Sequence, residues 1–342
     1  MKKVITMIFV TIVFLTGCST QYRMVKKTEV SSKTTNKGEE IQVKQQTYIA
    51  FKEVIERSPN VKAVTRMTDL KGTKQPTFYS VSPSSSEITV QIWEEDKGKW
   101  ISNLWKLKTS GSTALTRLTN GNYYDDGPCY SGDGSNIYFS SNRSSETLKI
   151  FRVKSDGAGG ITKLTQSNSY DAYPSISANS QGIYFMSKPY NAEEWQIWSM
   201  TYNGQLPTQI KEGEFSRVSP DGKSVLFTSV DKKSNKSKIW TMNVEGTNVT
   251  QLTFGKGSND MFPSWANDNN TITYCSDMSK DSNGKKNFDI WVMSVDGSTP
   301  PIQLTTNGST DLLPQFSDDG KYIYFLTNRG FDWDIWRMEI AD

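Results

Sequence analysis

The chain has 342 residues, no histidine, 22% charged residues and a formal net charge of +3. The absence of histidine excludes Ser-His-Asp and Cys-His catalytic pairs and histidine-ligated metal sites. The near balance of charge gives no indication of a nucleic-acid surface. Acid–base chemistry by carboxylates alone stays open.

Residues 1–17 have the pattern of a signal peptide, with Lys2 and Lys3 followed by an apolar run. The sequence Leu-Thr-Gly-Cys that ends it resembles a bacterial lipobox, which implies that Cys18 carries lipid (palmitate among its acyl chains) and becomes the mature N-terminus. Several acyl chains on one residue would anchor a protein stably. Because Ser19 follows the cysteine, an outer membrane facing the periplasm is the favoured location in a Gram-negative cell. The alternative is an ordinary secretory signal with an accidental cysteine.

Two short segments separate this signal from the main domain. Residues 18–47 are rich in Ser, Thr, Lys and Gln and are predicted to be a flexible tether. Residues 48–60 are predicted to cap the domain, with an amphipathic helix between Tyr48 and Ser58. The remaining residues, 61–342, are assigned to one domain.

A repeat dominates this domain. Each copy contains Leu-Thr, then Asp, Pro and Ser, an aromatic strand, Ile-Trp-x-Met and often Asp-Gly; the copies begin at Leu118, Leu164, Ile210, Leu252 and Leu304. A period of roughly 45 residues with four strand-sized pieces per copy predicts a radial array of small sheets. Turns such as Ser-Pro-Asp-Gly at 219–222 supply the chain reversals between strands.

The number of copies and the closure of the ring follow from the ends of the repeat. A weaker sixth copy lies upstream, and the last copy stops after its third strand at Met338. The segment 63–68 (Ala-Val-Thr-Arg-Met-Thr) nearly repeats 114–119 (Ala-Leu-Thr-Arg-Leu-Thr). The sequence therefore predicts an all-β, six-bladed β-propeller of four-stranded antiparallel blades. Its N-terminal strand completes the final blade and removes the exposed edges of an open ring.

The repeats resemble those of TolB-type propellers over roughly residues 61–342. The resemblance implies a six-bladed β-propeller of the cell envelope; TolB itself binds the peptidoglycan-associated lipoprotein and works with the Tol membrane complex. The chain departs from TolB in its lipobox and in having too few residues before the first blade for TolB's separate N-terminal domain. The missing histidines count against propeller lyases, whose metal is held by histidine.

The two faces of the propeller are predicted to differ. The Asp-x-x-Pro loops and the connections between second and third strands share one face, here called the loop face; the short Ser-Pro-Asp-Gly turns share the other, the turn face. Long loops on a rigid scaffold commonly carry binding sites, so binding is expected at the loop face. The long connections are expected at 94–103, 141–148, 187–195, 229–238, 276–288 and 327–333.

Four carboxylates are candidates for a site at the mouth of the central channel: Asp125, Asp171, Asp260 and Asp311, each three residues before the proline of its blade. A ring of carboxylates would bind a cation or the basic or N-terminal part of a partner, and like charges would raise one another's pKa. The alternative is that each Asp caps its own loop. Less periodic aromatic residues on or near this face are further candidates: Tyr124, Tyr170, Trp195, Phe262 and Trp333.

Other periodic residues are interpreted as structural. The tryptophans of Ile-Trp-x-Met are expected to pack between blades, and the Asn-Arg pairs at 142–143 and 328–329 to bind neighbouring backbone. Cys129 and Cys275 are expected to be buried in strands on opposite sides of the ring, too far apart for a disulfide.

These observations favour a lipid-anchored, monomeric, non-enzymatic propeller that binds an envelope protein or peptide at the channel mouth. No cofactor is expected, apart from a divalent cation that the carboxylates at the mouth would admit. Two alternatives remain open: a carboxylate- or cation-dependent enzyme that processes glycans or peptides, and a passive scaffold of an envelope complex.

Overall fold

The computed structural model describes residues 22–34, 40–52 and 58–341, except 71–73, 112–113, 177–178, 180–181, 281–283 and 331. The predicted signal peptide and Cys18 lie outside the described residues. The chain divides into two units, residues 1–55 and 56–342. No helix among the described residues is long and apolar enough to cross a membrane.

The described residues of the first unit form two antiparallel strands, β1 (Tyr22–Thr34) and β2 (Glu40–Lys52). This differs from the expected flexible tether and amphipathic helix. Apolar residues occupy alternate positions at Ile41, Val43 and Ile49, a period of two that is typical of a strand. The overall composition of the segment conceals this alternation, because polar residues fill the positions between.

The second unit is a six-bladed β-propeller, as the repeat predicts. In each of the first five blades the four strands pair in chain order and antiparallel. Blade 1 comprises β4 (Gln75–Val81), β5 (Glu87–Asp96), β6 (Lys99–Lys108) and β7 (Leu115–Arg117). Blade 2 comprises β8 (Asp125–Tyr130), β9 (Asn136–Ser141), β10 (Lys149–Lys154) and β11 (Ile161–Lys163). Blade 3 comprises β12 (Tyr170–Ser175), β13 (Ile183–Lys188), β14 (Gln196–Met200) and β15 (Thr208–Glu212). Blade 4 comprises β16 (Glu214–Val218), β17 (Ser224–Asp231), β18 (Lys236–Asn243) and β19 (Thr250–Gln251). Blade 5 comprises β20 (Asp260–Trp265), β21 (Thr271–Ser276), β22 (Asp289–Ser294) and β23 (Ile302–Gln303).

Blade 6 closes the ring with strands from both ends of the propeller. It contains β24 (Asp311–Phe316), β25 (Tyr322–Thr327), β26 (Asp334–Ile340) and, as its outermost strand, β3 (Val61–Arg66). The buried carboxylate of Asp334 accepts hydrogen bonds from Arg66 and from Thr68 Oγ1, the latter at 2.6 Å. The predicted closure is confirmed.

The repeated Leu-Thr motif has a structural explanation. In five blades the Thr hydroxyl oxygen accepts a hydrogen bond from the backbone N–H of a third-strand residue that precedes an aromatic residue, which is Trp in four blades and Phe151 in blade 2. Thr165 accepts from Ile150 in this way at 3.0 Å. The other pairs are Thr119–Leu104, Thr253–Ile239, Thr305–Ile290 and Thr68–Ile335. In these five blades the bond joins the third strand to the segment that leads to the next blade.

Apolar side chains of neighbouring blades form the core. Trp291 and Trp336 are buried, and the equivalent Trp105, Trp198 and Trp240 pack against other core clusters. Cys275 is fully buried, whereas Cys129 is only partly so, and neither forms a disulfide.

Two of the expected long loops are instead extended hairpins. In blade 1, β5 and β6 each run for 10 residues and meet at Lys97-Gly98, both with positive φ (50° and 78°). Two residues with positive φ form the tight turn that matches the twist of a hairpin. In blade 4, β17 and β18 likewise extend to Asp231 and Lys236.

Candidate functional site

The innermost strand of every blade contains a β-bulge at the same position, between Asp126 and Cys129 in blade 2. The residue inside the bulge has φ between 50° and 55° in five blades: Gly127, Tyr173, Phe215, Phe262 and Leu313. Left-handed backbone costs a residue other than glycine roughly 1–2 kcal/mol. Five independent strands adopt it, so the ring geometry imposes this bend.

The bulges direct an aromatic cluster to the propeller axis. Tyr173 and Phe78 have ring centroids 4.5 Å apart, and Phe215 and Phe262 also lie 4.5 Å apart. Phe78 belongs to blade 1 and contacts Phe215 of the opposite blade 4 at 6.3 Å. These four side chains, here called the aromatic plug, fill the channel and divide it into a loop side and a turn side.

Gly127 makes room for the plug in blade 2. A Cβ atom added there would lie 2.6 Å from Tyr173 Cδ1. Glycine suits this position because it adopts the positive φ of the bulge and, having no Cβ, leaves room for the neighbouring ring.

The four aspartates predicted to ring the channel mouth are buried, with exposed fractions of 0–3%. Each lies at or next to the start of an innermost strand, before the bulge. Each of three accepts a hydrogen bond from a serine of the second strand, as Asp125 does from Ser141 at 2.6 Å; the other two pairs are Asp171–Ser187 and Asp260–Ser276.

Three of these aspartates form buried or half-buried ion pairs. Arg143 Nη2 lies 2.7 Å from both oxygens of Asp125, and Arg329 Nη2 lies 2.9 Å from Asp311. Lys238 of blade 4 reaches Asp260 of blade 5 at 2.7 Å, an ion pair between blades. Asp171 instead accepts from Ser167 at 2.5 Å.

The structure therefore does not bring the four carboxylates together at a mouth. The alternative considered for them, structural capping, agrees with their burial and hydrogen bonds. Of the two Asn-Arg pairs, Asn142 and Asn328 bind backbone as expected, each accepting from the N–H of the residue just before the innermost strand, at 2.8 and 2.9 Å. Their arginines were also expected to bind backbone but pair with aspartates instead.

Two other carboxylates, Asp126 and Glu214, occupy the equivalent position at the bulges of blades 2 and 4. Both side chains act electrostatically on Tyr173 of the intervening blade. Burial raises the pKa of Asp126 to about 6, against the lowering effect of hydrogen bonds from the Tyr173 hydroxyl and the Gly127 N–H. Burial and then Glu194 raise the pKa of Glu214, opposed by Lys188. Asp126 and Glu214, both half-buried and both acting on Tyr173 of the plug, are here called the acidic pocket.

Two of the predicted aromatic candidates remain accessible beside this pocket. Tyr124 and Tyr170 immediately precede the buried Asp of blades 2 and 3 and are 43% and 48% exposed. Trp93, which the sequence analysis missed, contacts Tyr124 with ring centroids 5.4 Å apart. Its only signal in the sequence was its place directly before the long connection expected at 94–103, outside the repeat motif.

The other three aromatic candidates lie elsewhere. Phe262 belongs to the aromatic plug, Trp333 packs against the core between blades 1 and 6, and Trp195 is half-buried. Across the residues that the structure describes, no group of three or more His, Cys, Asp or Glu side chains could hold a metal ion.

Comparison with solved structures identifies the fold. A protein assigned as TolB from Agrobacterium tumefaciens superposes with a TM-score of 0.57 at 16% identity, over 93% of this chain and 99% of that one. TolB from Acinetobacter baumannii superposes with a TM-score of 0.57 at 18% sequence identity, over 76% of this chain and 65% of that one. An oligogalacturonate lyase from Vibrio parahaemolyticus superposes with a TM-score of 0.57 at 12% sequence identity, over 85% of this chain and 96% of that one. No protein-family model and no curated protein sequence matches the chain.

The chain has a TolB-like β-propeller fold. The resemblance expected from the repeats is confirmed at the level of the fold. The same fold occurs in TolB proteins and in an enzyme, so the fold of this TolB-like propeller does not by itself decide between binding and catalysis.

Replacing Asp311 by Ala is expected to destabilise the propeller by about 3–5 kcal/mol, because Arg329 would stay buried without its carboxylate partner. The free energy of unfolding in urea measures this. Asp332→Ala, at an exposed position in the same blade, is the control and is expected to change stability little. Equal effects of the two substitutions would contradict a structural role for Asp311.

Asp126 is expected to make the propeller less stable as pH rises from about 4 to about 6. Its pKa is higher in the folded than in the unfolded state, so the folded state holds the extra proton in this range and loses that advantage on ionisation. Ionisation of Asp126 therefore lowers the free energy of unfolding by about 3 kcal/mol. Urea unfolding of the native chain and of Asp126→Asn from pH 4 to 7 should give a stability difference that grows with pH in favour of the variant. A difference independent of pH would show that Asp126 titrates normally.

Proposed function

We propose that this chain is a lipid-anchored, non-enzymatic protein of the cell envelope that binds a protein or peptide partner at the loop face. The observation that carries the proposal is the acidic pocket of Asp126 and Glu214 above the aromatic plug, beside exposed aromatic rings. The TolB-like fold supports protein binding in general. The lipobox at Cys18 supports anchoring to the membrane and an envelope location.

The chemistry of the pocket suits a cationic group of the partner. Two partly buried carboxylates with raised pKa gain most from a positive charge that enters the channel, since it compensates their desolvation. A lysine or arginine side chain, or the N-terminal amino group of a peptide, carries such a charge. Tyr124, Tyr170 and Trp93 offer broad amphipathic contact area around it.

The pocket is closed at its base. The aromatic plug blocks the channel, so a partner would insert one side chain or chain end rather than thread through. Most of the contact area would therefore come from the loop face itself.

In-cell crosslinking followed by mass spectrometry tests the proposal. The native protein is expected to capture a discrete envelope protein. Capture should fall by more than about tenfold in Asp126→Asn/Glu214→Gln, because loss of a desolvated charge partner typically costs 2–5 kcal/mol. Glu245→Gln, an exposed acidic position on the turn face, is the control and should behave as the native protein does.

The same variants separate binding from catalysis. The raised pKa of Asp126 beside the Tyr173 hydroxyl is the one observation that favours an enzyme, since it suits a general acid. Turnover of an oligogalacturonate or a peptide by the purified protein, lost in Asp126→Asn, would replace the binding proposal. Identical captured proteins in native and double-variant cells would also contradict it.

Lipidation is tested separately, by metabolic labelling with an alkyne analogue of palmitate. The native chain is expected to incorporate label and to sediment with membranes. Cys18→Ala is expected to lose both properties, because the thiol of Cys18 is the proposed site of acylation. Membrane association that persists without label in Cys18→Ala would show that the anchor lies elsewhere.

A further inference from the structure

A second compartment of the channel lies on the turn side of the aromatic plug. It is a cavity of about 220 Å³ that opens among the Ser-Pro-Asp-Gly turns and is lined by all six blades. One residue from each blade, immediately beyond the bulge, forms a ring within its wall: Tyr79, Cys129, Ser175, Arg217, Ser264 and Gln315.

Among the lining residues that the structure describes, Arg217 is the one basic residue. Its Nη1 donates to the Ser216 carbonyl oxygen at 3.2 Å, and no carboxylate of the described residues forms an ion pair with it. Asp318, the one carboxylate that lines the cavity, is exposed at the rim and accepts from Asn267 at 2.6 Å. The guanidinium therefore lies in the cavity without a counter-charge.

This arrangement is unfavourable for the empty protein. Burial lowers the pKa of Arg217, opposed by interactions with Cys129 and Tyr79. Arginine nevertheless keeps its charge in proteins. A charge that is withdrawn from water and not paired costs free energy, and other arginines of this fold, Arg143 and Arg329, are paired with aspartates.

Neutral donors surround the guanidinium. Gln315 uses its Oε1 to accept from Val81 N–H at 3.1 Å, which leaves its NH₂ group to donate. Ser175 accepts from Val218 N–H at 3.1 Å and retains its hydroxyl hydrogen. Ser264 also lines the cavity. The Tyr79 hydroxyl is already committed to the Leu313 carbonyl oxygen at 2.6 Å.

We propose that this cavity is an anion site in which Arg217 binds a carboxylate, carried by a small organic acid or by the end of a peptide chain. One planar guanidinium matches the charge and the two oxygens of one carboxylate. A phosphate, which approaches two negative charges at neutral pH, would leave an uncompensated charge in this cavity. The volume corresponds to about seven water molecules, which admits a small acid or a single terminal residue.

The site is separate from the acidic pocket of the loop face. The aromatic plug lies between them, and the two compartments carry opposite charge. The proposal therefore does not depend on the loop-face function, and either can fail without the other.

Calorimetric titration of the purified full chain tests the proposal. The probes are acetate, succinate and two short peptides that are identical except for a free or an amidated C-terminus. The proteins are the native chain, Arg217→Gln, Arg217→Lys and the control Lys223→Gln, whose lysine is exposed on the same face. Succinate or the free-acid peptide is expected to bind native protein and Lys223→Gln, to bind Arg217→Gln at least tenfold more weakly, and to bind Arg217→Lys with intermediate affinity.

A second measurement uses the native chain alone. Cys129 lines the cavity, so a bound carboxylate is expected to slow its alkylation by iodoacetamide several-fold, as followed by mass spectrometry. The amidated peptide should give no protection. Cys275, which is fully buried, serves as the internal reference.

The outcomes distinguish the source of the carboxylate. Binding of succinate or acetate supports a small-acid ligand, and binding of the free-acid peptide alone supports a chain end. Arg217→Gln is also expected to melt at no lower temperature than the native protein, because it removes an unpaired, half-buried charge. The proposal would be overturned if the amidated and free-acid peptides bound equally well, or if a folded Arg217→Gln bound the probes as well as the native protein does. It would also be overturned if no probe either bound the protein or protected Cys129.

Discussion

The β-bulge in each innermost strand is the constraint on which the centre of this propeller depends. Every blade has to turn its inner edge toward a common axis, and the bulge produces that turn at the same position in all six. Residues before the bulge enter the packed interior, whereas residues at and beyond it reach the axis. The bulge therefore separates structural from accessible side chains within three or four residues of one strand, as between Asp125 and Cys129.

Buried polar groups are the second organising feature. In five blades a Thr hydroxyl binds the third strand, and in four blades a hydrogen-bonded Asp lies at or next to the start of the first strand. A buried ion pair adds little net stability, but loss of one partner is costly. Lys238 and Asp260 illustrate the consequence, since they join two blades and are both inaccessible to solvent. Such pairs specify how neighbouring blades align rather than what the protein binds.

The channel separates charge along the axis. Its loop side carries Asp126 and Glu214, its turn side carries Arg217, and the aromatic plug of low polarity lies between them. Each compartment therefore presents an incompletely compensated charge to its own mouth. This asymmetry distinguishes the two faces more sharply than loop length does, because two of the expected long loops are tight hairpins.

The sequence by itself determined the number of blades, their four strands and the closure by Val61–Arg66, because these depend on local periodicity and on a repeat that is visible in one dimension. The same reasoning misplaced the four aspartates, since a residue that recurs in step with the repeat reflects what every blade requires. The side chains that line the axis differ from blade to blade: the position of Asp126 holds Ala172 in blade 3, and that of Arg217 holds Ser264 in blade 5. Only the tertiary structure could select them, because bulge position and the meeting of six strands at one axis have no signature in the periodicity of a single strand.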